Sequence, residues 1–114
     1  MHIDISGKHL ELTPPLEEYA REKFGMLEKL LERLDDGSTS LATSGAVTLH
    51  VTLERTTSHH HKGEVYRASV NLHVPHETLR AEESHKDVRA AIDIVKEEIE
   101  RQVRKYKTRR LHAR

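Results

Sequence analysis

The sequence predicts an α+β domain in which a four-stranded sheet carries two helices on one face. Four segments alternate apolar and polar residues, which is typical of half-buried strands. Two longer segments repeat apolar residues at every third or fourth position, which is typical of amphipathic helices. These segments follow one another in the order β-α-β-β-β-α. Because the second face of every predicted strand is polar, both helices have to cover the same face of the sheet.

The first strand is predicted over His2–Ser6, where the period-two pattern stops at Gly7. The first helix is predicted from Pro14 to about Leu34, because Thr13 can cap it and proline suits the first helical position. Its apolar stripe consists of Leu16, Ala20, Phe24, Leu27, Leu31 and Leu34, flanked by Tyr19 and Leu30. A polar loop containing glycine is predicted over residues 35–45.

Three further strands follow this loop. The clearest alternation covers residues 46–54, and a second covers residues 66–74, so that the polar segment 56–63 between them predicts an antiparallel hairpin. A turn is predicted at residues 75–77, and a short fourth strand begins at Leu79 and ends near Glu83. The first two strands are separated by a helix, which predicts that they lie parallel through a right-handed crossover.

The second helix is predicted to follow a cap at Ser84, because Ser84 and Asp87 have the Ser-x-x-Asp spacing of a helix start. Its apolar stripe consists of Val88, Ala91, Ile92, Val95, Ile99, Val103 and Tyr106. Residues 1–107 are predicted to form a single domain. Residues 108–114 are predicted to be a basic, flexible tail.

Composition excludes several classes of function. The 114 residues include no cysteine, so the chain has neither a disulfide framework nor a thiol nucleophile. No segment resembles a secretion signal or a membrane span, which predicts a soluble, cytoplasmic protein. The five glycines are scattered singly, and neither a Gly-x-Ser-x-Gly motif nor a Gly-rich phosphate loop is present. We therefore expect no enzymatic activity and no cofactor.

Basic residues are concentrated near the C-terminus, although the formal net charge at pH 7 is zero. Residues 101–114 contain no acidic residue and hold these cations: Arg101, Arg104, Lys105, Lys107, Arg109, Arg110 and Arg114. Complementing the helix dipole explains part of this charge. Like charges three or four positions apart on a helix repel one another, and an anionic partner relieves that repulsion. The distribution favours polyanion binding over the alternative of a solvated tail.

Aromatic residues are few, with one Phe, three Tyr and no Trp. The predicted open face of the sheet carries none of them, so it offers no platform on which single-stranded bases could stack. Binding through cations to phosphates and to RNA shape is the expected mode.

Histidine offers a second interpretation, since the chain contains ten histidines, three of them consecutive at His59–His61. Consecutive imidazoles do not converge on one point, so we predict no metal-binding residue. A metal-responsive or protein-interaction module that uses this loop remains the alternative function. His50 and His73 lie on neighbouring predicted strands and are expected to approach each other on the open face.

The assembled residues resemble the short hibernation-promoting factors, also called ribosome-associated translation inhibitors. The matching segments are Ile5–Lys8 with Leu10–Pro14, Lys23-Phe24 with Leu27–Lys29, Ala81–Glu83, Asp87 with Ala90–Asp93, and Glu100–Lys107. Their order and spacing cover nearly the whole chain. The family usually has lysine where this chain has Met26, and tyrosine where it has Arg89.

This resemblance implies a double-stranded-RNA-binding-domain-like fold that binds the small ribosomal subunit. There the family occupies the messenger and tRNA region and silences idle ribosomes under stress or in stationary phase. The expected partner is ribosomal RNA, without a membrane or a small-molecule substrate, and the chain is expected to be a monomer off the ribosome. The predicted RNA-binding residues are Lys23, Lys29, Arg33, Arg89, Lys96, Arg101, Arg104, Lys105 and Lys107. A general double-stranded RNA binder is a further alternative.

The extra C-terminal domain of the long family members is absent from this sequence. The resemblance therefore implies the short form of the family or a separated N-terminal domain.

Overall fold

The computed structural model describes residues 1–32, 47–56 and 65–112. Along the chain it contains β1 (His2–Lys8), α1 (Pro14–Glu32), β2 (Thr48–Thr56), β3 (Val65–Val74), β4 (Glu77–His85) and α2 (Val88–His112). This order confirms the predicted β-α-β-β-β-α arrangement. The predicted loop 35–45, most of the predicted hairpin loop 56–63 and the predicted end of α1 at Leu34 lie outside the described residues.

The four strands form one sheet in the order β1-β2-β3-β4. β1 lies parallel to β2 with Ile5 opposite Val51, which confirms the predicted parallel pairing of these two strands. The other neighbours are antiparallel, with Val51 opposite Val70 and Val70 opposite Ala81. These four residues form one row on the face that the helices cover.

The core lies between this apolar face and the two helices. The α1 stripe is buried from Leu16 to Leu31, with Phe24 and Leu27 fully inaccessible to solvent. The Thr13 carbonyl accepts a hydrogen bond from the Glu17 amide at 2.9 Å, which marks the start of α1 where the sequence predicts it. No polar or charged side chain is buried among the described residues. Apolar packing therefore provides the main stabilisation of this sheet-and-helix layer.

β1 is two residues longer than predicted, because Gly7 lies within the strand and does not end it. A Cβ atom added at Gly7 would lie 2.6 Å from the carbonyl oxygen of Leu10, so glycine permits the chain to return this close. His9 then adopts a φ of 54° and turns the chain away from the strand. The alternation pattern identifies Gly7 as the end of the strand, whereas in the structure Gly7 is the position where the backbone of Leu10 comes close to the strand.

β4 is also longer than predicted, and this displaces the start of α2. Pairing with β3 continues to His85, which leaves Ser84 inside the strand opposite Arg67. Asp87 caps α2 instead: its Oδ1 accepts from the Arg89 amide at 3.0 Å, and its carbonyl accepts from the Ala91 amide at 3.0 Å. The predicted cap at Ser84 is therefore wrong by three residues, because strand pairing takes precedence over the local Ser-x-x-Asp pattern.

This assignment of the cap can be tested with two alanine variants. We expect Asp87→Ala to lower the free energy of unfolding by about 1 kcal/mol, because the Arg89 amide loses its acceptor. Ser84→Ala is the matched control and should change stability much less, since Ser84 is exposed. Urea denaturation measures both values. A larger loss for Ser84→Ala than for Asp87→Ala would contradict the assignment.

α2 continues to His112, through residues 108–112 that the sequence assigns to a basic tail. Its last turns are attached to the turn between β3 and β4, because the Tyr106 hydroxyl donates to the Pro75 carbonyl at 3.1 Å. Arg109 Nη2 likewise lies 2.8 and 3.1 Å from the carboxylate oxygens of Glu77. Neither Gly nor Pro interrupts residues 88–112. These long-range contacts extend the helix beyond the point where its apolar stripe ends.

α2 also contacts the backbone of one of the two edge strands of the sheet. The Gln102 side chain donates a hydrogen bond at 2.6 Å to the backbone carbonyl of Arg80, which lies in the edge strand β4. One backbone acceptor of that edge is therefore already satisfied.

Candidate RNA-binding surface

The two helices run in the same direction, so that their C-terminal ends lie together. Near their beginnings, the Tyr19 hydroxyl donates to Asp93 Oδ1 at 2.6 Å. Near their ends, Lys107 Nζ donates to the Leu30 carbonyl at 3.0 Å. Both carbonyl ends, each with partial negative charge, therefore face the same side of the domain. Lys107 contacts a carbonyl in the last turn of α1, where the dipole of that helix favours a cation.

The C-terminal cationic end, defined here as Arg101, Arg104, Lys105 and Lys107, occupies this side. Arg101, Arg104 and Lys105 are exposed, and Lys107 is partly buried by its contact with α1. Within the described part of the chain, Arg104 and Lys105 form no ion pair. Arg101 pairs with Glu98, and this hydrogen bond together with the charge of Arg101 lowers the pKa of Glu98. Arg104 and Lys105 are thus exposed cations that no described acid holds in an ion pair.

An open groove of about 700 Å³ adjoins the cationic end, between the last turns of α2 and strand β4. Arg104, Lys105 and Arg109 line one side of it, and Leu79 and Thr78 line the other. Arg109 is a cation that the predicted RNA-binding set does not include. The sequence pattern assigns Arg109 to the flexible tail, and a helix ending near residue 107 would not bring this side chain against β4. The predicted set therefore omits Arg109.

The remaining predicted cations have different surroundings. Lys29 is exposed in the last turn of α1, next to the residue that Lys107 contacts. Lys96 lies 3.2 Å from Glu100 and its side chain is only 16% exposed, so it is poorly accessible to a phosphate. Arg33 lies outside the described residues.

Lys23 and Arg89 meet at the other end of the helix pair, in the interhelical cluster that they form with Tyr19 and Asp93. Lys23 Nζ lies 5.5 Å from the centroid of the Tyr19 ring, and the guanidinium carbon of Arg89 lies 4.9 Å from it. The hydrogen bond to Asp93 raises the pKa of Tyr19 to about 12. Tyr19 and Asp93 are absent from the predicted set. The i, i+4 spacings of 19 with 23 and 89 with 93 are the only sequence signal that could have indicated them.

On the open face of the sheet the cations Lys8 and Arg67 are paired with acids, whereas Arg80 is exposed there without an ion pair among the described residues. Lys8 lies 3.4 Å from Glu54, Glu54 lies 3.4 Å from Arg67, and Arg67 lies 3.0 Å from Glu82. This series of alternating charges crosses all four strands. Neither Phe nor Tyr lies on the open face of the described strands. The helix side is therefore the better surface for a polyanion.

His50 and His73 approach each other on the open face as the sequence predicts. Their ring centroids are 5.2 Å apart in an edge-to-face arrangement, and His50 Nδ1 lies 3.4 Å from Asp4. Among the residues that the structure describes, no group of three or more His, Cys, Asp or Glu side chains is suited to hold a metal ion. His59–His61 lie outside that part of the chain. Neither described helix has the length and apolarity needed to cross a bilayer.

Comparison with known proteins gives a consistent picture. The family model described as Sigma 54 modulation protein / S30EA ribosomal protein matches residues 3–111. The ribosome hibernation promotion factor of Deinococcus radiodurans is 37% identical over 105 residues, which cover 92% of this chain and 48% of the relative. The factor of the same name from Lactococcus lactis is 37% identical over 107 residues, which cover 94% of this chain and 50% of the relative. The chain thus spans about half the length of these curated relatives.

Two solved structures share the fold. The N-terminal domain of Thermus thermophilus Protein Y superimposes with a TM-score of 0.68 at 26% identity, covering 93% of this chain and 99% of that domain. A ribosomal subunit interface protein from Coxiella burnetii also gives a TM-score of 0.68, at 19% identity, covering 95% of this chain and 99% of the other; this second likeness concerns the fold alone. The predicted four-stranded sheet with two helices on one face is confirmed.

Proposed function

The chain belongs to the Sigma 54 modulation protein / S30EA ribosomal protein family, and we propose that it inhibits translation by binding the small ribosomal subunit. In this proposal residues 1–107 form the binding domain. They occupy the messenger and tRNA region of the subunit in the cytoplasm and promote hibernation under stress or in stationary phase. The inhibition is steric, and the chain acts as a monomer off the ribosome without a cofactor.

The observation that carries this proposal is the contrast between the two faces of the domain. Arg104 and Lys105 are exposed without an ion pair in the described part of the chain, whereas the cations Lys8 and Arg67 of the open sheet face are paired with acids. RNA phosphates bind cations and release counterions, so they favour the helix side. The small number of aromatic residues favours contacts with phosphate and sugar over base stacking. Ribosomal RNA supplies such phosphates at a fixed geometry.

Cosedimentation with purified small subunits over a range of salt concentrations tests the proposal. We expect binding at low salt and a steep linear fall of log K with log [salt], with a slope of roughly one unit for each phosphate contact. A translation reaction in vitro that contains complete ribosomes should lose protein synthesis as the chain saturates them. Absence of binding at low salt would contradict the proposal.

A competition assay distinguishes ribosome binding from general binding to double-stranded RNA. If the chain recognises the subunit, a plain RNA duplex at equal phosphate concentration should displace little of it, because only the subunit presents a cleft that fits the helix side. Equal displacement by the duplex and by unlabelled subunits would favour the general RNA binder.

A further inference from the structure

The interhelical cluster brings two cations from different helices to one aromatic ring. Lys23 belongs to α1 and Arg89 to α2, and both lie within 6 Å of the centroid of the Tyr19 ring. The Tyr19 hydroxyl donates to Asp93 Oδ1 at 2.6 Å, and Lys23 Nζ lies 3.8 Å from the same oxygen. One tyrosine and one aspartate therefore fix the positions of both cations across the helix interface.

The cluster contains two cations and one carboxylate, and the carboxylate of Asp87 lies nearby. Asp93 directs its Oδ1 towards Tyr19 and Lys23, and Arg89 forms no ion pair in the described part of the chain. Nearby Asp87 uses its Oδ1 on the Arg89 backbone amide. Arg89 is exposed and its guanidinium carbon lies over the ring, an arrangement that leaves N–H groups of the guanidinium available. Such N–H groups are suited to bind the oxygens of a phosphate.

We propose that Lys23 and Arg89 together form a second RNA-phosphate site, and that Tyr19 and Asp93 are the positioning residues of this site. The proposal rests on the proposed function, since its ligand is the phosphodiester backbone of the RNA that the helix side binds.

The position of the cluster makes it a separate anchor from the C-terminal cationic end. Arg89 and Lys105 are 16 positions apart in the sequence of one continuous helix, which corresponds to about 24 Å at 1.5 Å per residue. Both side chains are exposed. The two sites therefore contact different parts of the RNA. Two anchors on one rigid helix restrict the orientation of the domain more than either anchor alone, and binding at one raises the effective concentration at the other.

Removing the cations singly tests the site. We expect Lys23→Gln and Arg89→Gln each to weaken binding to small subunits roughly threefold to tenfold and to reduce the salt slope by about one unit. Arg80→Gln is the matched control, because Arg80 is an exposed cation on the open sheet face and should leave the slope unchanged. Arg89→Lys keeps the positive charge but removes the planar guanidinium that lies over the Tyr19 ring, so this variant should bind more weakly than the unmodified chain. Equal effects of Arg89→Gln and Arg80→Gln would overturn the site.

Variants of Tyr19 test whether it acts by positioning. Tyr19→Phe keeps the ring and should bind RNA more tightly than Tyr19→Leu, which removes the surface on which Arg89 stacks. In a chain that already carries Lys23→Gln and Arg89→Gln, Tyr19→Leu should cause no further loss of affinity. A loss of the same size in both backgrounds would overturn the positioning role and leave only a structural one. If the unmodified chain fails to bind subunits at low salt, the proposed function fails as well, which distinguishes that outcome from failure of this site alone.

Discussion

Replacing Arg101, Arg104 and Lys105 together by glutamate is expected to weaken binding to the small subunit by roughly 100-fold or more, because three attractive phosphate contacts become repulsive. All three side chains are exposed at the end of α2, so the change alters surface charge and leaves the core intact. Cosedimentation at low salt, with inhibition of protein synthesis in parallel, measures the effect.

A matched pair of single reversals controls for net charge. Arg104→Glu and Arg80→Glu change the charge equally at exposed positions, one at the end of α2 and the other on the open sheet face. Arg104→Glu should weaken binding several-fold more than Arg80→Glu. Full binding by the triple variant, or equal effects of the two single variants, would rule out the end of α2 as the RNA contact. Thermal unfolding establishes that each variant is folded.

The second large effect is expected from Phe24→Ala, which should lower the free energy of unfolding by about 3–5 kcal/mol. Phe24 is fully buried and is the largest side chain that α1 contributes to the core. A loss of this size is a large part of the total stability of a typical domain, about 5–15 kcal/mol.

Met26→Ala is the matched control for this core variant. Met26 lies on the same helix but is 48% exposed, so its truncation should change the free energy of unfolding by less than about 1 kcal/mol. Urea denaturation of both variants measures the difference. Similar losses for the two variants would contradict the assignment of Phe24 to the core.

Local sequence patterns predict an element correctly when its apolar residues follow one period and are the residues that the fold buries. The α1 stripe from Leu16 to Leu31 and the alternation in β2 identify the buried residues correctly, because one period describes each element along its described length. The end of β4 and the start of α2 depend on pairing with β3 up to His85, which no local pattern contains. The length of α2 depends on contacts of Tyr106 and Arg109 with the turn after β3. Boundaries set by distant partners are thus the part that sequence periodicity misses.

The candidate site divides in the same way. Cations that accumulate along one helix are visible as a run in the sequence, so the C-terminal cationic end could be predicted. Tyr19 and Asp93 are 74 positions apart, and only the packing of α1 against α2 brings them together. Lys96 is a cation that the sequence predicts as RNA-binding from its charge. In the structure it is partly buried and paired with Glu100, which the sequence pattern does not indicate.

The contact between Gln102 and β4 has a consequence for the behaviour of the protein at high concentration. An edge strand with free backbone groups is a template on which another chain can add a strand, and such addition leads to aggregates. Here the Gln102 side chain donates a hydrogen bond to the Arg80 carbonyl. The charged side chains of Arg80 and Glu82 are exposed on the same strand. A strand from another chain would have to break the hydrogen bond of the Gln102 amide and place its own backbone beside these charged side chains. The edge strand β4 is thereby protected against the addition of a strand from another chain.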